Sequence, residues 1–297
     1  MTTGAWPALP YDEWHDTLGT LHMEMQILGK VRVALSPPEP EWAHVTLSLS
    51  PRGLRTGLIP SSTGTFEVEA DLIDHQVVVQ VTDGPRATVA LAARPIAEFY
   101  REFTAALTSV GVEVELPSVP QEVPDPIPFP EDTVHHVYDP DHAHRFWRVL
   151  TLVHPPFDAY RAAYRAKVSP VQFFWGGMDL NVLRFSGRPC APPADADFLL
   201  RTSHDVEQIS VGFWPGNAQF PEPAFYAYGY PKPEGIEQAV LAPSTAFWSD
   251  TMGEHFLRYD DVRTAPDPAA LVREFLDSAY EACASRSGWA SSLVGNG

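Results

Sequence analysis

The chain has 297 residues, 44% of them hydrophobic, which allows one large or two medium domains around a substantial core. Its 38 acidic against 20 basic side chains give a formal net charge of -18, which argues against broad nucleic-acid or anionic-membrane binding, because phosphate contacts need clustered Lys and Arg. Cys190 and Cys283 are far apart and have no CxxC spacing, so neither a disulfide framework nor a cysteine zinc site is expected.

The N-terminus has no basic segment leading into an apolar one, and no run approaches the roughly 18 apolar residues of a spanning helix. The expected location is cytoplasmic. A first helix is expected over 11–30. Trp14, Leu18, Leu21, Met25 and Leu28 are spaced four, three, four and three, an unbroken apolar stripe. Glu13, Asp16, Thr17, Thr20 and Glu24 fall opposite and are expected in solvent. Between them His15, Gly19, His22, Gln26 and Lys30 border the apolar stripe, at a pocket or at the rim of the core.

Strands are expected over 31–35, 45–49, 66–73, 77–81 and 88–92, with turns at Asp74-His75 and Asp83-Gly84. A closing helix over 95–109 carries Ile96, Phe99, Phe103 and Leu107 on one stripe. Residues 116–139 are rich in proline and acid and read as a linker packed on the surface. Asp139-Pro140 starts a helix as N-cap and first-turn proline. That helix is expected to break at Pro155-Pro156, and another to run over 157–167. Strands follow over 171–175, 180–185, 206–214, 224–230, 246–248 and 256–259, then a last helix over 268–286.

The two halves repeat a pattern. Residues 23–31 and 160–168 each read as a helix running into a lysine and then a strand, and Lys30 and Lys167 are two of only three lysines. The closing helices share Arg101-Glu102-Phe103 and Arg273-Glu274-Phe275. The expected fold is therefore α+β: two similar α-β(n)-α units with antiparallel sheets, a pseudo-twofold internal duplication packed as one compact body. The units are 1–115 and 140–297, joined by 116–139.

No Gly-x-Gly-x-x-Gly, Walker loop, His-Glu-x-x-His or Gly-x-Ser-x-Gly occurs. His142 and His144, two apart on a helix, point to different sides, and no metal ligands are assigned. His22 with Gln26, four apart beside the core stripe, is the better pair. His204 and Glu207 are proton-transfer types at a strand start, although their odd separation puts them on opposite faces of a regular strand. Trp175 and Trp214 precede glycine-containing turns at strand ends, and Tyr226 lies in an aromatic strand. Asp179 and Arg184 flank a strand and would pair or hold a polar ligand.

The chain resembles, end to end, a bacterial family of about 300 residues known only as a domain of unknown function. The resemblance rests on Leu9-Pro10-Tyr11-Asp12-Glu13-Trp14, Leu21-His22 with Gln26 and Gly29-Lys30, and Asp125-Pro126-Ile127-Pro128-Phe129. It continues in Arg145-Phe146-Trp147-Arg148, Phe173-Phe174-Trp175-Gly176, Arg184-Phe185-Ser186-Gly187, Phe213-Trp214-Pro215-Gly216 and Glu222-Pro223-Ala224-Phe225-Tyr226. It implies one integral unit and brings no activity or catalytic residue with it.

The expectation from sequence is a small-molecule enzyme without a cofactor, using His22, His204 and Glu207 for acid–base chemistry in an aromatic-lined cleft between the units. Gln26, Lys30, Trp175, Asp179, Arg184, Trp214 and Tyr226 are the expected ligand contacts. A non-catalytic small-molecule-binding or accessory protein with the same cleft, and a metal-dependent enzyme with histidine ligands, are the alternatives. The expected partner is a small molecule, with no nucleic acid and no membrane, and with a homo-oligomer allowed.

Overall fold

The computed structural model describes residues 5–62, 64–196 and 198–295. The first helix, α1 (Tyr11–Leu35), runs beyond the expected range. Residues 31–35, expected as a strand, are its last turns. Val31 continues the stripe three residues after Leu28 and is fully buried, so core packing outweighs the strand preference of a β-branched residue. Pro37 stops the helix by forcing Ser36 into an extended conformation.

The solvent-facing side expected for α1 is not found over most of its length. Thr17, Thr20 and Glu24 are buried like the apolar stripe, because other elements pack around the helix. It packs on α2 (Ile96–Ser109), on α3 (Pro140–Ala162) and on the short strand β3 (Ile59–Ser61).

The first sheet is antiparallel. It runs β1 (Ser48–Leu49), β2 (Gly53–Arg55), β4 (Gly64–Asp71), β5 (Gln76–Val81) and β6 (Arg86–Ala90). Strands β2 and β3 pair with opposite ends of β4, as one interrupted strand would. Phe66, Val68 and Ala70 of β4 are buried and alternate with acidic residues, as the period of two requires. Both expected turns contain a left-handed residue, His75 at φ 50° and Asp83 at φ 53°.

In α3, Asp139 caps the N-terminus through the Asp141 and His142 amides. The expected break at Pro155-Pro156 does not occur, and the helix continues to Ala162. Val149, Leu150, Val153, Phe157 and Tyr160 are all fully buried on one face, and this packing holds the helix across the two prolines. No separate helix occupies 157–167, whose last residues are irregular.

The second antiparallel sheet contains β7 (Gln172–Phe174), β8 (Asp179–Pro189), β9 (Val206–Trp214), β10 (Ala224–Tyr230), β11 (Phe247–Ser249) and β12 (Glu254–Arg258). Its order is β11-β12-β10-β9-β8-β7. The first sheet is a meander, whereas β12 lies between β10 and β11. Lys30 is inside α1 and Lys167 lies beyond the end of α3, so the two lysine motifs occupy different settings. Two short helices, α4 (Phe198–Ser203) and α5 (Tyr259–Arg263), precede α6 (Pro268–Arg286), and one face of the second sheet packs under α3 and α6 through residues such as Val182, Val211, Phe213 and Phe225. A two-way backbone bridge between Leu47 and Phe173 joins the sheets, and one apolar core runs through both halves. Among the described residues no helix is long and apolar enough to cross a membrane.

Glu24 is the anomaly of this core. It is 1% exposed, and neither carboxylate oxygen has a hydrogen-bond partner. Burial raises its pKa well above the ordinary value, against a smaller opposing pull from Arg94. Between the ordinary carboxylate pKa and this raised one, the unfolded chain releases a proton that the folded chain keeps. Stability therefore falls with rising pH by about 1.4 kcal/mol per unit in that window. Glu24→Met removes both the slope and the unpaired polar group. It should raise stability at neutral pH by about 1–3 kcal/mol in denaturant unfolding. A loss of stability would mean that Glu24 has a favourable partner.

Candidate functional site

The other face of the second sheet carries a cavity of about 390 Å³. Strand alternation determines what lines it. On β8 the cavity-side residues are Asp179, Asn181 and Leu183, and on β9 they include Gln208 and Trp214. Tyr226 and Tyr228 come from β10, Glu254 and Phe256 from β12. Asn181, Gly212, Tyr226 and Phe256 form one cross-strand row.

Gly212 is the reason this row can exist. A methyl group there would overlap the ring of Tyr226, so glycine lets that ring lie across β9. The Tyr226 hydroxyl then reaches the neighbouring strand and donates a hydrogen bond to Asp179 Oδ2. Burial pushes the Asp179 pKa up to about 7, Glu122 adds to the rise, and the Tyr226 hydroxyl opposes it. Burial also raises Glu254 to about 7, with a further contribution from Asp179. Burial, with Asp179 adding to it, raises Tyr226 well above its usual value, so the phenol keeps its proton and remains a donor.

Another part of the cavity wall is supported from behind by α1. A methyl at Gly29 would overlap the indole of Trp175, so glycine allows Trp175 to pack against the helix. Its indole N–H donates to Val45 O at 2.8 Å. His22 Nε2 donates to Gly176 O at 2.8 Å, fixing the turn that leads to Asp179. Burial lowers the His22 pKa to about 4, so the ring is neutral at pH 7. Gln26 pairs with the backbone of Gln121, donating to its carbonyl at 2.6 Å and accepting from its N–H at 3.1 Å. Lys30 reaches the Gln121 side chain at 3.4 Å, and burial lowers its pKa to about 8. Gln121 and Glu122 thereby become part of the wall, and Gly176 leaves the space the Glu122 carboxylate occupies.

Three non-glycine residues of the lining have left-handed backbones: Glu41 at φ 53°, Trp42 at 57° and Glu122 at 57°. Met178, directly before Asp179, is at 59°. Each costs on the order of 1–3 kcal/mol, and such strain collects where a site fixes side-chain direction.

Of the residues singled out from sequence, Trp175, Asp179, His204, Trp214 and Tyr226 line this one cavity. His204 Nδ1 lies 2.7 Å from Ser203 Oγ. His22, Gln26 and Lys30 form the layer behind the wall. Arg184 and Glu207 lie elsewhere. Arg184 is buried on the helix side of the sheet, 3.4 Å over the Tyr160 ring, and donates to the Tyr160 carbonyl. Glu207 accepts from Ser186, Arg188 and Trp289. Among the described residues no group of three or more His, Cys, Asp or Glu is arranged to hold a metal ion. Glu254, Glu122, Gln208, Tyr228 and Trp42 were not singled out from sequence. The alternation of β9, β10 and β12 would have aligned Gln208, Tyr228 and Glu254 with Tyr226, given the register.

Gly29→Ala tests how this wall is built. The added methyl has no room beside Trp175, so stability should fall by about 1–3 kcal/mol. The Trp175 indole N–H should also lose protection from solvent exchange by NMR. A stable variant with that proton still protected would contradict the packing described.

Among curated proteins and among solved structures, none matches the chain. One family model does match, over residues 6–296, which include α1, both sheets and every residue of the cavity. The chain thus belongs to the family of unknown function DUF5996.

Proposed function

We propose that the protein is an acid–base enzyme acting on a small organic molecule, with Asp179 as the proton carrier. The observation that carries this reading is the Tyr226–Asp179 hydrogen bond inside an aromatic cavity. A carboxyl group with a pKa of about 7 gives up and accepts a proton with little bias at neutral pH, which is what a general acid or base needs. The sequence pointed to histidine for this task. His204 reaches the cavity and is retained in the reading as a second proton carrier. His22, neutral and bonded to Gly176, is read as a positioning residue, because it holds the turn before Asp179. The net charge of -18 supports a small-molecule partner rather than a nucleic acid, in a cytoplasmic setting. Duplication into two units is proposed from the shared helix–sheet–helix order alone.

A thermal-shift screen of a metabolite library against the wild type and Asp179→Asn tests the reading. Compounds that stabilise only the wild type should then be incubated with it in deuterated water. Conversion, or deuterium uptake at carbon, is expected with the wild type and should be lost in Asp179→Asn, whose own melting temperature should not fall. Compounds that bind in an Asp179-dependent way but remain unaltered would instead favour a non-catalytic binding protein.

A further inference from the structure

We propose that the cavity selects a protonated amine carried on a small apolar or aromatic body. This rests on the reading above in using the same cavity, and it adds the chemical class of the ligand. The lining brings four carboxylates, Glu41, Glu122, Asp179 and Glu254, and among its described residues no lysine or arginine. Glu41 is engaged by Lys167, which donates to both its oxygens from outside the lining. Asp179 and Glu254 face an interior whose described lining holds no lysine or arginine.

Hydrogen-bonding capacity points the same way. Gln208 is 2% exposed and lines the cavity, and its Oε1 has no hydrogen-bond partner. A buried acceptor left unpaired costs about 1–3 kcal/mol, so a ligand bearing N–H groups gains by meeting it. Several donors of the wall are already committed. The Tyr226 hydroxyl serves Asp179, the Trp175 indole serves Val45, and the Trp42 indole donates to Thr202 Oγ1 at 2.8 Å. The unpaired Gln208 oxygen and the carboxyl groups of Asp179 and Glu254 disfavour an anion and favour an ammonium group. Trp175, Trp214, Phe174 and Phe256 supply the aromatic surface, which attracts a cation through ring faces and buries an apolar body.

Acidity then couples to binding. Asp179 and Glu254 both hold protons below about 7 in the empty cavity, and an ammonium ion needs at least one of them ionised. The other titratable groups of the lining are Glu41, paired with Lys167, Glu122 from the 116–139 segment, His204 after α4 (Phe198–Ser203), and Tyr226 and Tyr228 on β10. A proton added to any of these groups makes the cavity less attractive to a cation, so acidification acts in one direction. Affinity for an amine should rise as pH rises through neutrality.

Isothermal titration of the wild-type protein with benzylamine, benzyl alcohol and benzoate tests this. The three probes share a ring and differ in charge. At about pH 8, benzylamine should bind at least about tenfold more tightly than either of the others, and its affinity should fall several-fold by about pH 6. Glu254→Gln should weaken benzylamine about tenfold at the higher pH and reduce the pH dependence. If that variant does not fold, the wild-type series decides alone. Equal or tighter binding of benzyl alcohol or benzoate would overturn the assignment, as would no benzylamine binding up to about 10 mM. A neutral or anionic compound that reacts in an Asp179-dependent way would also overturn it, while leaving the acid–base reading intact.

Discussion

The packing of Trp175 against Gly29 of α1 is the contact on which the site depends. Without a side chain at Gly29 the indole can approach the helix, and its N–H then reaches Val45. That contact brings the β7–β8 turn of the second sheet onto a helix of the first half. His22 and Gln26, two turns and one turn before Lys30, then secure the turn and the Gln121 segment. One helix thus supports two separate walls of a cavity whose floor is the second sheet. It supports them firmly because α1 is itself buried through most of its length and is held by α2 and α3.

The second constraint is electrostatic. A buried carboxylate with no cation bonded to it is costly, and the chain responds by letting such groups keep their protons. Glu24 does this in the core and Asp179 and Glu254 do it in the cavity. The difference lies in access. Glu24 has no hydrogen-bond partner and lies outside this cavity, so it only costs stability. Asp179 has a fixed donor in Tyr226 and open space in front of it, so its proton is available to a bound molecule. Asp179 reaches that state through a glycine on the strand between it and Tyr226, because Gly212 gives the Tyr226 ring its path.

Much of the fold was legible in local signals. Strands β9 and β10 and helix α6 span the ranges expected from alternation, helical spacing and boundary prolines. The misreadings came where tertiary packing overrode local preference: the extension of α1 through Val31, the burial of Glu24 and the passage of α3 through Pro155-Pro156. At the site, aromatic residues at strand ends marked Trp175 and Trp214, and an aromatic-dense strand marked Tyr226. Arg184 could have been separated from Asp179 by parity, since five residues along a strand reverse the face. Glu254 and Glu122 carry no local mark. Their place depends on which strand lies beside β10 and on where Gln26 holds the 116–139 segment, and neither is written in a short window of sequence.

Burial places two carboxyl groups of the cavity, Asp179 and Glu254, where they exchange protons near neutrality. Carbon-13 NMR titration of side-chain carboxyls in the ligand-free protein is the sharpest test of this. Two resonances should titrate near pH 7, one absent in Asp179→Asn and the other in Glu254→Gln. Midpoints for both residues in the ordinary carboxylate range, at about 4, would contradict it.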